Sequence, residues 1–121
     1  MYFENTGLED ILVDFNLLQH VMGKHGLTKE GQWDYERATF DRKFDVREGR
    51  YYLRVFTFAV DGDIDAGDAT VKIMKPIIGK HYYPFGVEYG EDEHFPEHLL
   101  KTCADILATI KSELKAFEIQ V

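Results

Sequence analysis

The ten residues Tyr51–Val60, YYLRVFTFAV, constrain this chain more than any other stretch. β-Branched and aromatic side chains dominate it, and these fit a pleated surface that is at least half buried. Side chains alternate along a strand. One face therefore carries Tyr51, Leu53, Val55, Thr57 and Ala59, and the other carries Tyr52, Arg54, Phe56, Phe58 and Val60. Both sets are mostly apolar, so each face calls for cover, and the stretch reads as the middle strand of a sheet.

The flanking sequence supplies cover for one of those faces. Leu99, Cys103, Ile106, Leu107, Ile110, Leu114 and Phe117 recur at helical spacing behind Pro96, a residue suited to a first helical turn. A second stripe, Leu8, Ile11, Leu12, Phe15, Leu18 and Met22, follows a T-x-x-E capping box at Thr6 and Glu9 and stops at Gly23. Met1–Glu4 reads as a short first strand and Gly26–Gly31 as a loop. Ala38–Asp45 alternates as a half-buried strand whose apolar side Arg42 interrupts. Val46–Arg50 is a hairpin loop, Asp61-Gly62 a turn, Ala69–Met74 a further strand closed by Pro76, and Ile77–Tyr83 the last strand. Consecutive strands joined by short loops predict an antiparallel meander. The order β-α-β-β-β-β-α then predicts a two-layer α+β domain spanning residues 1–121, with both helices on one face of the sheet.

Composition narrows the function classes. The chain has 121 residues, one domain's worth, and its mean hydropathy of −0.32 fits a globular protein. No apolar run approaches the roughly 20 residues of a membrane helix, and the N-terminus lacks the basic start and apolar core of a signal peptide. With Cys103 as its only cysteine, no intrachain disulfide can form, which points to a reducing, cytoplasmic setting. Lys and Arg total 14 against 22 Asp and Glu, a net charge of −8 that argues against nucleic acid as a partner. The positive bias of Arg37, Arg42, Lys43, Arg47, Arg50 and Arg54 is interspersed with Asp41, Asp45 and Glu48, as on a solvated hairpin with cross-strand ion pairs.

Three motifs invite chemistry and fail on their details. His94-Phe95-Pro96-Glu97-His98 matches H-x-x-E-H, but Pro96 places the helix start inside the motif and separates the two imidazoles. Asp61-Gly62-Asp63-Ile64-Asp65 begins like a calcium loop, yet Ala66 stands where glycine is needed and Lys72 where a bidentate Glu is needed. Cys103 lies on the apolar stripe of the last helix, where a thiol acts as a small hydrophobe. No catalytic residue, metal ligand or cofactor is assigned, and an enzyme is the least favoured reading.

Trp33-Asp34-Tyr35, Phe40-Asp41 with Lys43, Tyr52-Leu53-Arg54-Val55, and Pro76 with Lys80-His81, in that order and spacing, resemble the YugN-like family. The resemblance implies a small cytosolic protein of Bacillus-type bacteria with no established activity. It also implies a fold similar to the TATA-box-binding-protein type, one curved antiparallel sheet with two helices on its convex side. The chain departs from the family pattern at Ala38-Thr39 and at Arg42, and no catalytic residue carries over.

The feature left over is the helix-free side of the sheet. Two helices cover one face, so one set of central-strand residues stays outside unless a loop, notably Phe85–Phe95, folds across it. Trp33, Tyr35 and Tyr52, with Tyr82 and Tyr83, are amphipathic aromatics of the kind enriched at interfaces, and Arg54 and His81 are candidate polar anchors. The expected function is a binding or interaction module that self-associates through this face as a homo-oligomer. The alternative is a small-molecule site on the same concave face, with Arg54 and His81 orienting an anionic or aromatic ligand.

Overall fold

A computed structural model describes residues 1–31, 36–84, 86–90 and 93–119. Its centre is a 13-residue strand, β4 (Gly49–Asp61). On one edge β4 pairs throughout with β3 (Arg37–Val46), in unbroken register from Val46↔Gly49 at the turn to Arg37↔Phe58 at the far end. On the other edge two shorter strands lie end to end. β5 (Thr70–Ile73) pairs with the Thr57–Asp61 end, and β6 (Ile77–Tyr82) pairs with Arg50–Arg54.

A simple meander would have paired β5 with β6. Here both pair with β4 because that strand is longer than either, and Pro76, which cannot donate to a ladder, separates them. Short strands complete the sheet. β1 (Leu12–Asp14) lies beside β5, β2 (Thr28–Gly31) beside β3, and β7 (Gly86–Glu88) beside β6, with every pairing antiparallel.

Besides the meander, further expectations are corrected. Met1–Glu4 forms only an isolated bridge, Tyr2↔Ile77. Gly26–Gly31 is mostly strand rather than loop, since its last four residues are β2, and the expected loop Phe85–Phe95 contains β7. The first helix, α1, spans Phe15–Lys24 rather than starting behind Thr6. The Thr6 hydroxyl accepts from Leu8 N–H instead of capping a helix, and Asn5 and Asp10 adopt left-handed backbone (φ 59° and 71°) that no α-helix can contain. Ile11, Val13 and Phe15 are buried while Asp14 and Asn16 are exposed, so a two-residue period overlies the helical one. Asp14 caps α1, its carboxylate accepting from Leu17 N–H at 3.0 Å.

The second helix, α2 (Glu97–Leu114), follows its expected stripe. Leu99, Cys103, Leu107, Ile110 and Leu114 are buried, and a 3-10 turn, Lys115–Phe117, ends it. Phe15, Leu18, Val21 and Met22 of α1 join these side chains over Ala38 and Phe40 of β3, Tyr51, Leu53 and Val55 of β4, Val71 and Ile73 of β5, and Ile78 of β6. Both helices thus cover one face, giving an antiparallel α+β architecture. Each fully buried aliphatic side chain in that layer contributes about 1.5–3 kcal/mol.

Arg42, the interruption on the apolar side, reaches the C-terminal end of α1. Its guanidinium lies 4.7 Å from the Phe44 ring centroid and donates to the His25 carbonyl at 3.0 Å, a favourable end of the helix for a cation. Among the described residues no helix is long and apolar enough to cross a membrane.

Candidate functional site

The helix-free face carries the second set of β4 side chains with their register partners. At the hairpin end, Asp41 faces Arg54, Lys43 faces Tyr52, and His81 sits opposite Arg50. Arg54 and Asp41 form a forked pair. Arg54 Nε donates to Asp41 Oδ1 at 2.8 Å and Nη2 to Oδ2 at 2.7 Å, with the side chains 23% and 8% exposed. Arg54 Nη1 donates to the Tyr89 hydroxyl. The bonded Asp41 carboxylate holds the guanidinium pKa above its ordinary value, and burial pushes the Tyr89 phenol up despite the nearby cation.

Tyr89 follows β7 and lies back over the sheet. Gly79, opposite Tyr52, makes that approach possible. A Cβ there would stand 2.3 Å from Val87 Cγ1 and 2.7 Å from Tyr89 Cε1. The segment around β7 therefore straps part of the outer face, as one of the sequence readings allowed. Beyond the strap a concavity of about 600 Å³ stays open, lined by Thr28, Glu30, Asp41, Lys43, Tyr52, Arg54, His81 and Val87 among others. The Tyr52 and His81 rings meet edge to face at 5.9 Å, and the Arg54 guanidinium is 5.9 Å from the Tyr52 ring centroid.

The other end of the same face is apolar. Phe56 is 37% exposed, Met74 45% and Tyr2 55%, and Phe58 is half buried among them. Two shallow concavities, about 420 and 540 Å³, share Tyr2, Phe56, Phe58 and Met74. Glu9, Asp10, Lys72 and Lys75 border one, and Arg37 and Thr39 the other.

Of the residues singled out from the sequence, the fold brings Tyr52, Arg54 and His81 together at one concavity. Trp33 and Tyr35 lie outside the described residues. Tyr82 donates its hydroxyl to Glu93, and Tyr83 is almost fully exposed. Sequence reasoning expected cross-strand ion pairs among residues that include Asp41, Lys43 and Arg54 without naming the pairs, and it missed Glu30 at the concavity and Tyr89 on Arg54. For Asp41 a signal existed. With the turn closed between Val46 and Gly49, counting five residues back and five forward reaches Asp41 and Arg54. Tyr89 had no such signal, because its position depends on where β7 docks.

The rejected motifs have structural roles. Pro96 is the N-cap of α2, so His94 lies outside the helix, its carbonyl accepting from the Tyr51 hydroxyl, while His98 sits 3.2 Å from Glu48. In the 61–68 loop Asp63 Oδ1 accepts from the Asp65 and Ala66 N–H groups, and Asp68 Oδ1 from Asp63 N–H, so backbone donors occupy these carboxylates. Cys103 is fully buried and its thiol is pushed up to about 12 by that burial.

The family model for the YugN-like family matches residues 5–106. The chain belongs to the YugN-like family. It is 42% identical over 116 residues to the uncharacterized protein YlbA of Bacillus subtilis (strain 168), covering 96% of this chain and 97% of that one. It is 34% identical over 71 residues to the uncharacterized protein YugN of the same organism, covering 59% and 53%. The crystal structure of the uncharacterized conserved protein YugN from Geobacillus kaustophilus HTA426 superposes with a TM-score of 0.84 at 49% identity, covering 96% of each chain. The descriptions of these relatives name no activity, so for this family a functional reading rests on the site.

Proposed function

We propose that this YugN-like protein is a binding module that pairs with a second copy of itself through the apolar half of the helix-free face. The observation that carries this reading is the cluster of Tyr2, Phe56 and Met74 around Phe58, large apolar side chains left partly in water at the two concavities they share. Such a patch measures on the order of a few hundred Å², at the upper end of what single-chain proteins expose.

A stable interface needs about 800 Å² per partner, so the rim must join it. That rim is of mixed sign, with Arg37 on the β3 side and both acids (Glu9, Asp10) and lysines (Lys72, Lys75) on the β5 side. A two-fold axis lying along β4 sets each side against its opposite on the other copy. The net charge of −8 on each chain opposes association, so screening by salt strengthens it.

Sedimentation velocity across a concentration series tests the reading. A monomer–dimer equilibrium that tightens with added salt and disappears in Phe56→Glu is expected. A monomer at every concentration and salt would refute it. Phe56 is already partly in water, so Phe56→Glu leaves the helix-side core untouched.

A further inference from the structure

The polar half of the helix-free face carries a separate inference, independent of self-association. We infer that the concavity around Asp41 and Arg54 is a binding site for a small zwitterion, a molecule with one carboxylate and one ammonium group such as a free α-amino acid. The charges of the basin are sorted by the strand register. Lys43 and His81 flank Tyr52 at one end, and Asp41 and Glu30 hold the other.

Arg54 does not serve as a free anion anchor. Both Asp41 oxygens engage its Nε and Nη2, and Tyr89 takes Nη1, so the pair acts as a fixed, neutralised floor. With that pair neutralised, a simple anion entering the basin meets Glu30, and a simple cation meets Lys43. Only a ligand bearing both charges complements both ends.

The dimensions agree. Lys43 and Asp41 are two residues apart on one strand, which separates their rows by about 7 Å. A molecule whose own charges are a few ångströms apart reaches from Lys43 to Glu30, whose strand meets β3 at Thr28↔Asp41, with a charge-assisted hydrogen bond of about 2.8 Å at each end. The Lys43 ammonium is half exposed and sits 3.7 Å from Asp45, whose closer partner is Arg50 at 2.8 Å. Lys43 can therefore swing to a carboxylate. Glu30, which accepts from the Thr28 hydroxyl, is exposed at the rim and faces the ammonium.

The experiment is a thermal-shift screen of the proteinogenic L-amino acids, with calorimetric titration of the best one, its N-acetyl form and its carboxamide form. It uses the full chain and its Phe56→Glu variant, so that the result stands whatever the oligomeric state. At least one amino acid should bind, and loss of either ligand charge should weaken binding about tenfold or more, the equivalent of about 1.4 kcal/mol. Lys43→Met should weaken the parent amino acid but leave the carboxamide unchanged. Glu30→Gln should weaken the parent but leave the N-acetyl form unchanged. No binding by any amino acid, or equal binding by the N-acetyl or carboxamide form, would overturn the inference. So would effects of the two variants that ignore which ligand charge is present.

Discussion

Removing both members of the Asp41–Arg54 pair should cost no more stability than removing one. Asp41 is 8% exposed and Arg54 23%, and two charge-assisted bonds of 2.8 and 2.7 Å join them. Breaking a fully buried pair costs about 3–5 kcal/mol, most of it the penalty of the charge left behind. In Asp41→Leu the stranded Arg54 keeps Tyr89 and has some access to water, so the cost drops to about 2 kcal/mol. In Arg54→Met the stranded carboxylate is nearly out of water, and the cost rises to about 3 kcal/mol. The double variant strands no charge and should lose about 2 kcal/mol, leaving a coupling of about 3 kcal/mol. Urea unfolding of the four proteins measures this, and Tm should fall by roughly 4 °C per kcal/mol in a domain of this size. A coupling below about 0.5 kcal/mol, the scatter of independent sites, would mean that the pair behaves as an ordinary surface bridge and that the basin floor is not held as described.

Gly79→Ala should push the strap off the sheet, because the new methyl would lie 2.3 Å from Val87 Cγ1. A loss of about 1–3 kcal/mol is expected, with faster hydrogen exchange confined to Val87–Tyr89, and unchanged exchange there would contradict the close approach. Cys103, with its thiol raised to about 12, should resist thiol reagents at neutral pH at a rate set by unfolding. Its folded pKa lies above the unfolded one, so its stabilising share is whole below about pH 8.5 and declines as pH rises toward 12, relative to Cys103→Ala. Rapid labelling of the folded protein at pH 8 would show the thiol to be accessible.

Periodicity carried the larger elements. The stripe of α2 and the two-faced β4 were legible because each repeats one geometry over enough residues to stand above noise. The start of α1 was not. Leu8, Ile11, Phe15 and Leu18 match a helix, while Ile11, Val13 and Phe15 match a strand, and only pairing with β5 favours the strand before Asp14. β2 and β7, at four and three residues, are too short to carry any period and exist because a neighbouring edge was free to pair. In the basin, Tyr52, Arg54 and His81 were foreseeable from composition and alternation, but the role of Arg54 was not. As a cation in a list it reads as a ligand anchor; opposite Asp41 it is already satisfied.

Local sequence by itself determined that this chain has a long amphipathic helix, a long central strand with two greasy sides, and therefore more apolar β surface than two helices can hide. Those facts depend on which side of a helix or strand each residue occupies, and that is set within a few residues. Tertiary structure alone decided which polar groups neutralise one another and which stretch of the outer face stays in water. Charge pairing and strap docking depend on distances between residues far apart in the chain, such as Arg54 and Tyr89, and those distances exist only once the sheet has closed around β4.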